Sequence, residues 1–519
     1  MKNSSNLIGD LLKLWGLHNR GVLMNKSLKC DLVAGFSVFL LALPLCLGIA
    51  IASCVPPIAG IFTAIVGGMV ASVCGSSSLT IKGPAAGMIV IVLGAVQELG
   101  QGDLFLGYKL ALAVGVVAAL LQIGIALMRK AVIAEVMPPS VIHGMLAAIG
   151  VIIITKQAYV LCGVAPVASK THELLFYFPS HVFNLNPLLF AIGLFAFAIA
   201  VFWPKITRLA FIPASIVILL SVIPLSLYFA LDPKYLINLP INFSEGIQFP
   251  DFSQIFSPVS IKYIIMFTVV GSIESLLTVC AVDSMQNSSS DLNKDLRATG
   301  IANLVSACIG GIPMISEIVR SKANIDYGAK TAKSNFFHGL FLLIAVIVFP
   351  SVMNLIPLSA LAALLIFVGL RLASPKEFIY AYQLGRDQFC IFMTTFIVTL
   401  VTDLLVGVLA GVFVELVVLW FRTHSFRRLF YPVLTVEEGQ GYVTLSVDGP
   451  LTFVGYMRFK NELEKLVLKH KKVVVSIHAV TFMDHTVQKK IRTLAESRNE
   501  VEISIEQNQQ LVQLYNHQQ

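Results

Sequence analysis

Charge is scarce in this sequence. Of 519 residues only 13% are Asp, Glu, Lys or Arg, while 56% are hydrophobic. Soluble domains carry roughly a quarter charged residues, so that class is excluded. No phosphate-cradling glycine loop, metal-ligand cluster or catalytic triad can be read, and neither enzyme activity nor a resident cofactor is expected. The eight cysteines (30, 46, 54, 74, 162, 280, 308, 390) are scattered, most of them in apolar runs, without a C-x-x-C pair. They read as small core residues, not as a disulfide framework or a metal site. A signal peptide is not expected either, because the first apolar run follows a long polar segment with no cleavage site.

What the chain does have is apolar runs long enough to cross a bilayer, recurring from Asp31 to Phe421. It reads as a multi-pass helical membrane protein whose partner is the lipid bilayer. The net charge of +8 is no nucleic-acid signal, because the basic residues sit in short loops and tails. Lys26 and Lys29, Arg129 and Lys130, Lys205 and Arg208, and Arg427 and Arg428 are examples. By the positive-inside rule they mark the cytoplasmic side. Both termini are then expected in the cytoplasm, the crossings even in number, and the protein in the cell (inner) membrane.

One stretch breaks the apolar rule. Lys82 stands inside an apolar region, followed by Gly83, Pro84, Ala85, Ala86 and Gly87 and then a helix-like run. Pro84 suits the first turn of a helix. Such a half-helix at membrane depth offers free N–H groups and a partial positive charge to an anion. Lys82 adds a full charge; the plainer reading is that it snorkels or pairs with one buried carboxylate. The logic recurs later. Gly310, Gly311 and Pro313 lead through Ser316 and Glu317 into a short charged segment with Arg320. The runs total about fourteen helical segments, and two short, Gly/Pro-interrupted ones occupy corresponding positions of the two halves. That pairing points to an inverted-repeat secondary transporter with its site at the midplane. The first span is broken by Leu43-Pro44-Leu45, and Lys156–Phe183 and Asp232–Pro258 read as external loops. After Phe430 strand and helix patterns alternate, as in a small cytoplasmic α/β domain.

Several motifs together resemble the SulP (sulfate permease) family of anion transporters. They are ALPLCLGIA (42–50), LTIKGPAAGMIVIV (79–92), GSIESLLTVCAVDSM (271–285), GIANLVSACIGGIP (300–313), VRSKAN (319–324) with GAKTAKSNFFHG (328–339), and FMDHT (482–486). The resemblance covers nearly the whole chain. It implies a seven-plus-seven inverted repeat, a core domain moving against a gate domain, a homodimer and a C-terminal STAS-like domain. The implied boundaries are 1–30 for the cytoplasmic lead-in, 31–429 for the transport domain and 430–519 for the STAS-like domain. The core would take residues 31–130 and 260–350, the gate 131–230 and 358–421.

The resemblance also implies the site. A small inorganic anion, sulfate or bicarbonate, would lie between the half-helix starting at Pro84, with Ala85 and Ala86, and the one starting near Ser316, with Glu317, Ile318 and Arg320. Leu43 and Leu45 would line the cavity. Glu274 and Thr278, one turn apart and so on one helix face, stand where the bicarbonate branch of the family holds sodium. Glu in place of Asp turns the choice towards a proton, since burial in an apolar wall disfavours a bare carboxylate. Glu274 could instead be the partner of Lys82 or Arg320. Glu317 either points away as a helix cap or shares in cation binding. His143 reads as packed or interfacial, and Thr486 as a helix N-cap or, alternatively, a phosphorylation site. Coupled symport is the expected function; uncoupled exchange, a channel and an organic dicarboxylate carrier are the alternatives.

Overall fold

The computed structural model describes residues 17–129, 131, 138–164, 171–206, 213–286, 288, 290–402, 404–423, 432–438, 443–469, 473–483, 487, 491 and 501–504. Its first helices are α1 (Leu17–Ala52) and α2 (Pro57–Cys74). A short strand β1 (Lys82–Pro84) then leads through a helical turn (Ala86–Met88) into α3 (Ile89–Gly100), and α4 (Leu104–Leu127) follows. Pro84 thus ends the strand and does not open the helix as expected, because its carbonyl and the paired strand hold it extended. Next come α5 (Pro139–Leu161), α6 (Pro187–Phe202) and α7 (Ala214–Tyr228). The order then repeats. Helices α8 (Pro258–Gln286) and α9 (Leu292–Cys308) precede strand β2 (Met314–Ser316) and the short helix α10 (Ile318–Asp326), and α11 (Lys333–Val348) completes the set. The membrane part ends with α12 (Leu358–Leu372), α13 (Arg386–Val401) and α14 (Leu404–Thr423). Apart from the short helices Thr171–His181, Pro350–Met353 and Pro375–Gln383, two passes of seven helices, each with a strand before its third, form the inverted repeat. The mark of inversion is that β1 and β2 pair antiparallel, Lys82 opposite Ser316, Gly83 opposite Ile315 and Pro84 opposite Met314.

Among the described residues, eight helices are long and apolar enough to cross a membrane, and three shorter apolar ones accompany them. Local signals set their ends. Asp103, Asn186 and Asp291 accept hydrogen bonds from the first free N–H groups of α4, α6 and α9. Helix α1 runs unbroken through Pro44, so the expected break of the first span is absent; Pro44 cannot bond back to Leu40, and the Ser215 hydroxyl on α7 donates to that carbonyl at 3.2 Å.

By packing, the chain divides into two units: Met1–Ala131 with Ile149–Ala373, and Val132–Ala148 with Ser374–Gln519. Residues assigned to the gate from sequence fall in both, 149–230 and 358–373 in the first and 132–148 and 374–421 in the second. In the first unit α4 packs on α9, and α11 packs on α1 and α2. A core of Leu43, Leu47, Ile58, Ile61, Phe62 and Leu342 lies among them.

The second unit carries the α/β region. Strands β3 (Val433–Glu438), β4 (Val443–Leu451), β5 (Val473–Met483) and β6 (Val501–Ser504) form one sheet in that order. The pair β3–β4 is antiparallel, while β4–β5 and β5–β6 are parallel. Helix α15 (Phe453–Lys469) connects β4 to β5, as a parallel pair requires. Leu445, Val447, Phe459, Leu463, Val475 and Ile477 fill its core. The alternation of strand and helix expected after Phe430 is thus present, in a STAS-like architecture. The turn Asp484–Thr486 and the segment Asn508–Tyr515 lie outside the described residues.

Candidate functional site

The site forms around the ribbon of β1 and β2, whose successive side chains point to opposite faces. On one face Lys82 is 1% exposed. Its Nζ donates to Asp295 Oδ2 on α9 at 2.5 Å and to Ser316 Oγ at 2.9 Å. Asp295 is fully buried and also accepts from the Ser77 N–H at 3.3 Å. Ser316 Oγ shares a 2.9 Å hydrogen bond with Ser275 Oγ on α8, which accepts the Ser316 N–H at 3.2 Å. The expectation that Lys82 faces an anion therefore meets a different placement. Its charge is matched by Asp295, and a second N–H goes to Ser316 on the partner strand.

On the other face stands Arg320, in the first turn of α10 and 0% exposed. Its Nη2 donates to the Pro84 carbonyl at 2.7 Å, and Nη1 approaches Cys46 Sγ at 3.5 Å. Nε has no partner, and Arg320 makes no ion pair among the described residues. The small residues after Lys82 now have a physical reason. A Cβ on Gly83 would sit 2.7 Å from Arg320 Nη1, and a Cβ on Gly87 would run into the Glu274 carboxyl. Ala85 and Ala86 are buried between these two approaches.

Glu274 is 7% exposed, its Oε1 has no hydrogen-bond partner, and it ion-pairs with neither Lys82 nor Arg320. Lys82 is instead taken by Asp295, since β1 turns it towards the start of α9. Glu317 is an electrostatic neighbour of Glu274 and lies beside Arg320 and the Ala86 N–H. It occupies the N-cap position of α10 without a side-chain capping bond, and it is partly exposed. Two carboxylates therefore lie close to each other, and one of them, Glu317, stands beside the guanidinium. Thr278, one turn beyond Glu274, is buried. Ile318 is 38% exposed, while Leu43 is buried in the α1–α2 core and Leu45 packs against Ile192, Ala196 and Leu364. The structure thus brings Pro84, Ala86, Glu274, Glu317 and Arg320 together and sets Lys82 and Ser316 on the opposite face.

Sequence reading missed several residues. Asp295 stands 213 positions from Lys82 and looked like part of a loop beside Lys294 and Arg297. Asn303 clasps β2, accepting the Met314 N–H at 2.7 Å and donating to the Met314 carbonyl at 3.1 Å and to Gln122 at 3.0 Å. Ser321 Oγ accepts the Ile81 N–H at 2.9 Å, and Asn324 donates to Leu79 O at 3.0 Å. These two bonds show why polar residues follow Arg320: they hold the segment that feeds β1. His338 is fully buried near Arg320 with both ring nitrogens unpartnered. In the second unit His143 Nδ1 lies 2.7 Å from Glu377 Oε2, a partly exposed polar contact beside the Tyr380 ring.

Known proteins share this plan. YvdB of Bacillus subtilis (strain 168), which carries a sulfate-transporter name, is 28% identical over 475 residues, 88% of this chain and 87% of its own. The bicarbonate transporter BicA of Picosynechococcus sp. is 26% identical over 451 residues, 82% of this chain and 79% of its own. Among solved structures, the transmembrane domain of a cyanobacterial BicA superposes with a TM-score of 0.66 at 25% identity, covering 74% of this chain and 97% of that one. The structure of SLC26A9 gives a TM-score of 0.71 at 15% identity, covering 97% of this chain and 88% of that one, a likeness of fold. The model of the sulfate permease family matches residues 28–395, so the chain belongs to the sulfate permease family.

Proposed function

We propose that this protein carries a small inorganic oxyanion, sulfate or bicarbonate, across a membrane by alternating access, driven by a co-transported proton or sodium ion. It acts as a carrier and not as an enzyme. The observation that carries the reading is Arg320, a fully buried guanidinium with an unpartnered Nε and no ion pair among the described residues. A buried charge without a counter-charge is costly, and a planar guanidinium suits the oxygens of an oxyanion. The half-helix N-terminus of α10 adds its partial positive charge at the same place. The names of the relatives support an anion as cargo.

Coupling follows from charge balance. Glu317 stands beside Arg320 and balances its charge, and the Glu274 carboxylate next to Glu317 leaves one negative charge over before any anion enters. A proton or sodium ion on Glu274, with Thr278 one turn on, removes that excess and lets the anion approach. Cation and anion then bind together, as symport requires. The same reading places both termini in the cytoplasm and the protein in the cell membrane, as a homodimer.

Uptake of labelled sulfate and bicarbonate into proteoliposomes, under a proton and then a sodium gradient, tests this for wild type and Glu274→Gln. Concentrative uptake of one anion that follows one gradient and is lost in the variant is the expected result. Uptake that ignores both gradients and survives the substitution would leave an exchanger or channel.

A further inference from the structure

Lys82 is the most conspicuous charge in the sequence, and the structure ties it up completely. Lys82 is 1% exposed, and its ammonium donates twice into the second repeat, to Asp295 at 2.5 Å and to Ser316 at 2.9 Å. Lys82 belongs to the strand that starts the first half-helix, and Ser316 to the strand that starts the second. Asp295 is anchored on α9, which also carries the Asn303 clasp on Met314. Ser316 is held from the far side by Ser275 of α8. One ammonium therefore links β1, β2 and α9, and Ser275 extends the chain of bonds to α8.

The other face of the ribbon shows what this link serves. Arg320 reaches across from the second repeat to Pro84 O in the first, and its approach leaves no space for a Cβ on Gly83. A small slip of β1 against β2 would separate Arg320 from that carbonyl and spread the two half-helix N-termini apart. Ribbons of three residues per strand have few ladder bonds to resist such a slip.

We infer that Lys82 and Asp295 are a positioning pair. Their buried ion pair, extended through Ser316 and Ser275, locks the register of the ribbon and so the spacing of the two half-helices around Arg320. Lys82 itself does not touch the transported anion. The inference rests on the reading of the Arg320 side as the anion site. It concerns this chain's own Lys82 and Asp295, which sit on the other side.

A charge-pair cycle with the full-length protein in proteoliposomes tests it, with sulfate and bicarbonate as probes and uptake normalised to folded protein. Lys82→Met and Asp295→Leu alone each leave a buried charge uncompensated, and the maximal rate falls by about tenfold or more. The double variant restores the rate to within about threefold of wild type with KM unchanged, because a well-packed apolar pair can replace a buried ion pair. A double variant that stays inactive, or whose KM rises about tenfold while the rate holds, would overturn the inference and return Lys82 to the anion. If the single variants fail to accumulate, the KM and rate of the double variant alone decide between those results. Arg320→Gln is run beside them. Normal KM and rate in that variant would sink the anion reading, whereas the behaviour of the 82/295 double variant addresses the positioning pair alone.

Discussion

Lys82 and Arg320 are both buried cations, and each crosses from its own repeat into the other. Their surroundings differ in one respect that decides what they can do. Lys82 meets Asp295 at 2.5 Å, so its face of the ribbon is electrically closed. Arg320 meets a carbonyl and a thiol, keeps its Nε unpartnered, and has the Glu317 carboxylate nearby but in no ion pair with it among the described residues. The same inverted-repeat logic thus yields a structural face and an open one. A buried charge marks a functional region; whether it is the working group depends on whether its partner is already inside the protein.

The largest effect that would break this comparison lies on the closed face. Lys82→Met or Asp295→Leu alone should cost about 3–5 kcal/mol of stability, because the surviving charge is buried alone. Thermal unfolding in detergent measures it, and the double variant should recover most of the loss. On the open face, Arg320→Gln should weaken anion affinity by about 10- to 100-fold, the worth of one or two charge-assisted hydrogen bonds. Arg320→Lys should rescue only part, since an ammonium cannot hold Pro84 O and the anion with one planar fork.

The glycines sharpen the contrast between anion and coupling ion. Gly83→Ala pushes a methyl towards the Arg320 guanidinium and should raise the KM for the anion. Gly87→Ala pushes one into the Glu274 carboxyl and should weaken the dependence on the driving ion. Each strain is worth about 1–3 kcal/mol, read as separate shifts in anion and cation titrations of uptake. The smallest effect is expected for Ser275→Ala, which removes one hydrogen bond to Ser316 and should cost about 1 kcal/mol in stability with KM unchanged.

Much of this was legible in sequence because it is written in local signals. Apolar runs marked the helices, Pro84 and Pro313 marked the two strand segments while Pro44 left α1 unbroken, and strand–helix alternation marked the C-terminal α/β region. The small residues from Gly83 to Gly87 marked a crowded site without saying what crowds it. The partner of Lys82 was not legible, because pairing across an inverted repeat is set by tertiary packing between residues more than 200 positions apart, as for Lys82 and Asp295. Asp295 follows a helix N-cap among basic neighbours and reads as a loop charge until α4 and α2 bury α9. His338 gave no signal at all, since a histidine in an apolar helix looks like any packed side chain.

The most direct test of the division between the two faces is equilibrium binding of sulfate and bicarbonate to the purified full-length protein by calorimetry. Wild type is compared with Arg320→Gln and with the Lys82→Met/Asp295→Leu double variant. The account predicts that one anion binds the wild type, that the double variant keeps that affinity, and that Arg320→Gln loses it. Binding that survives Arg320→Gln and disappears in the double variant would contradict it and put the anion on Lys82.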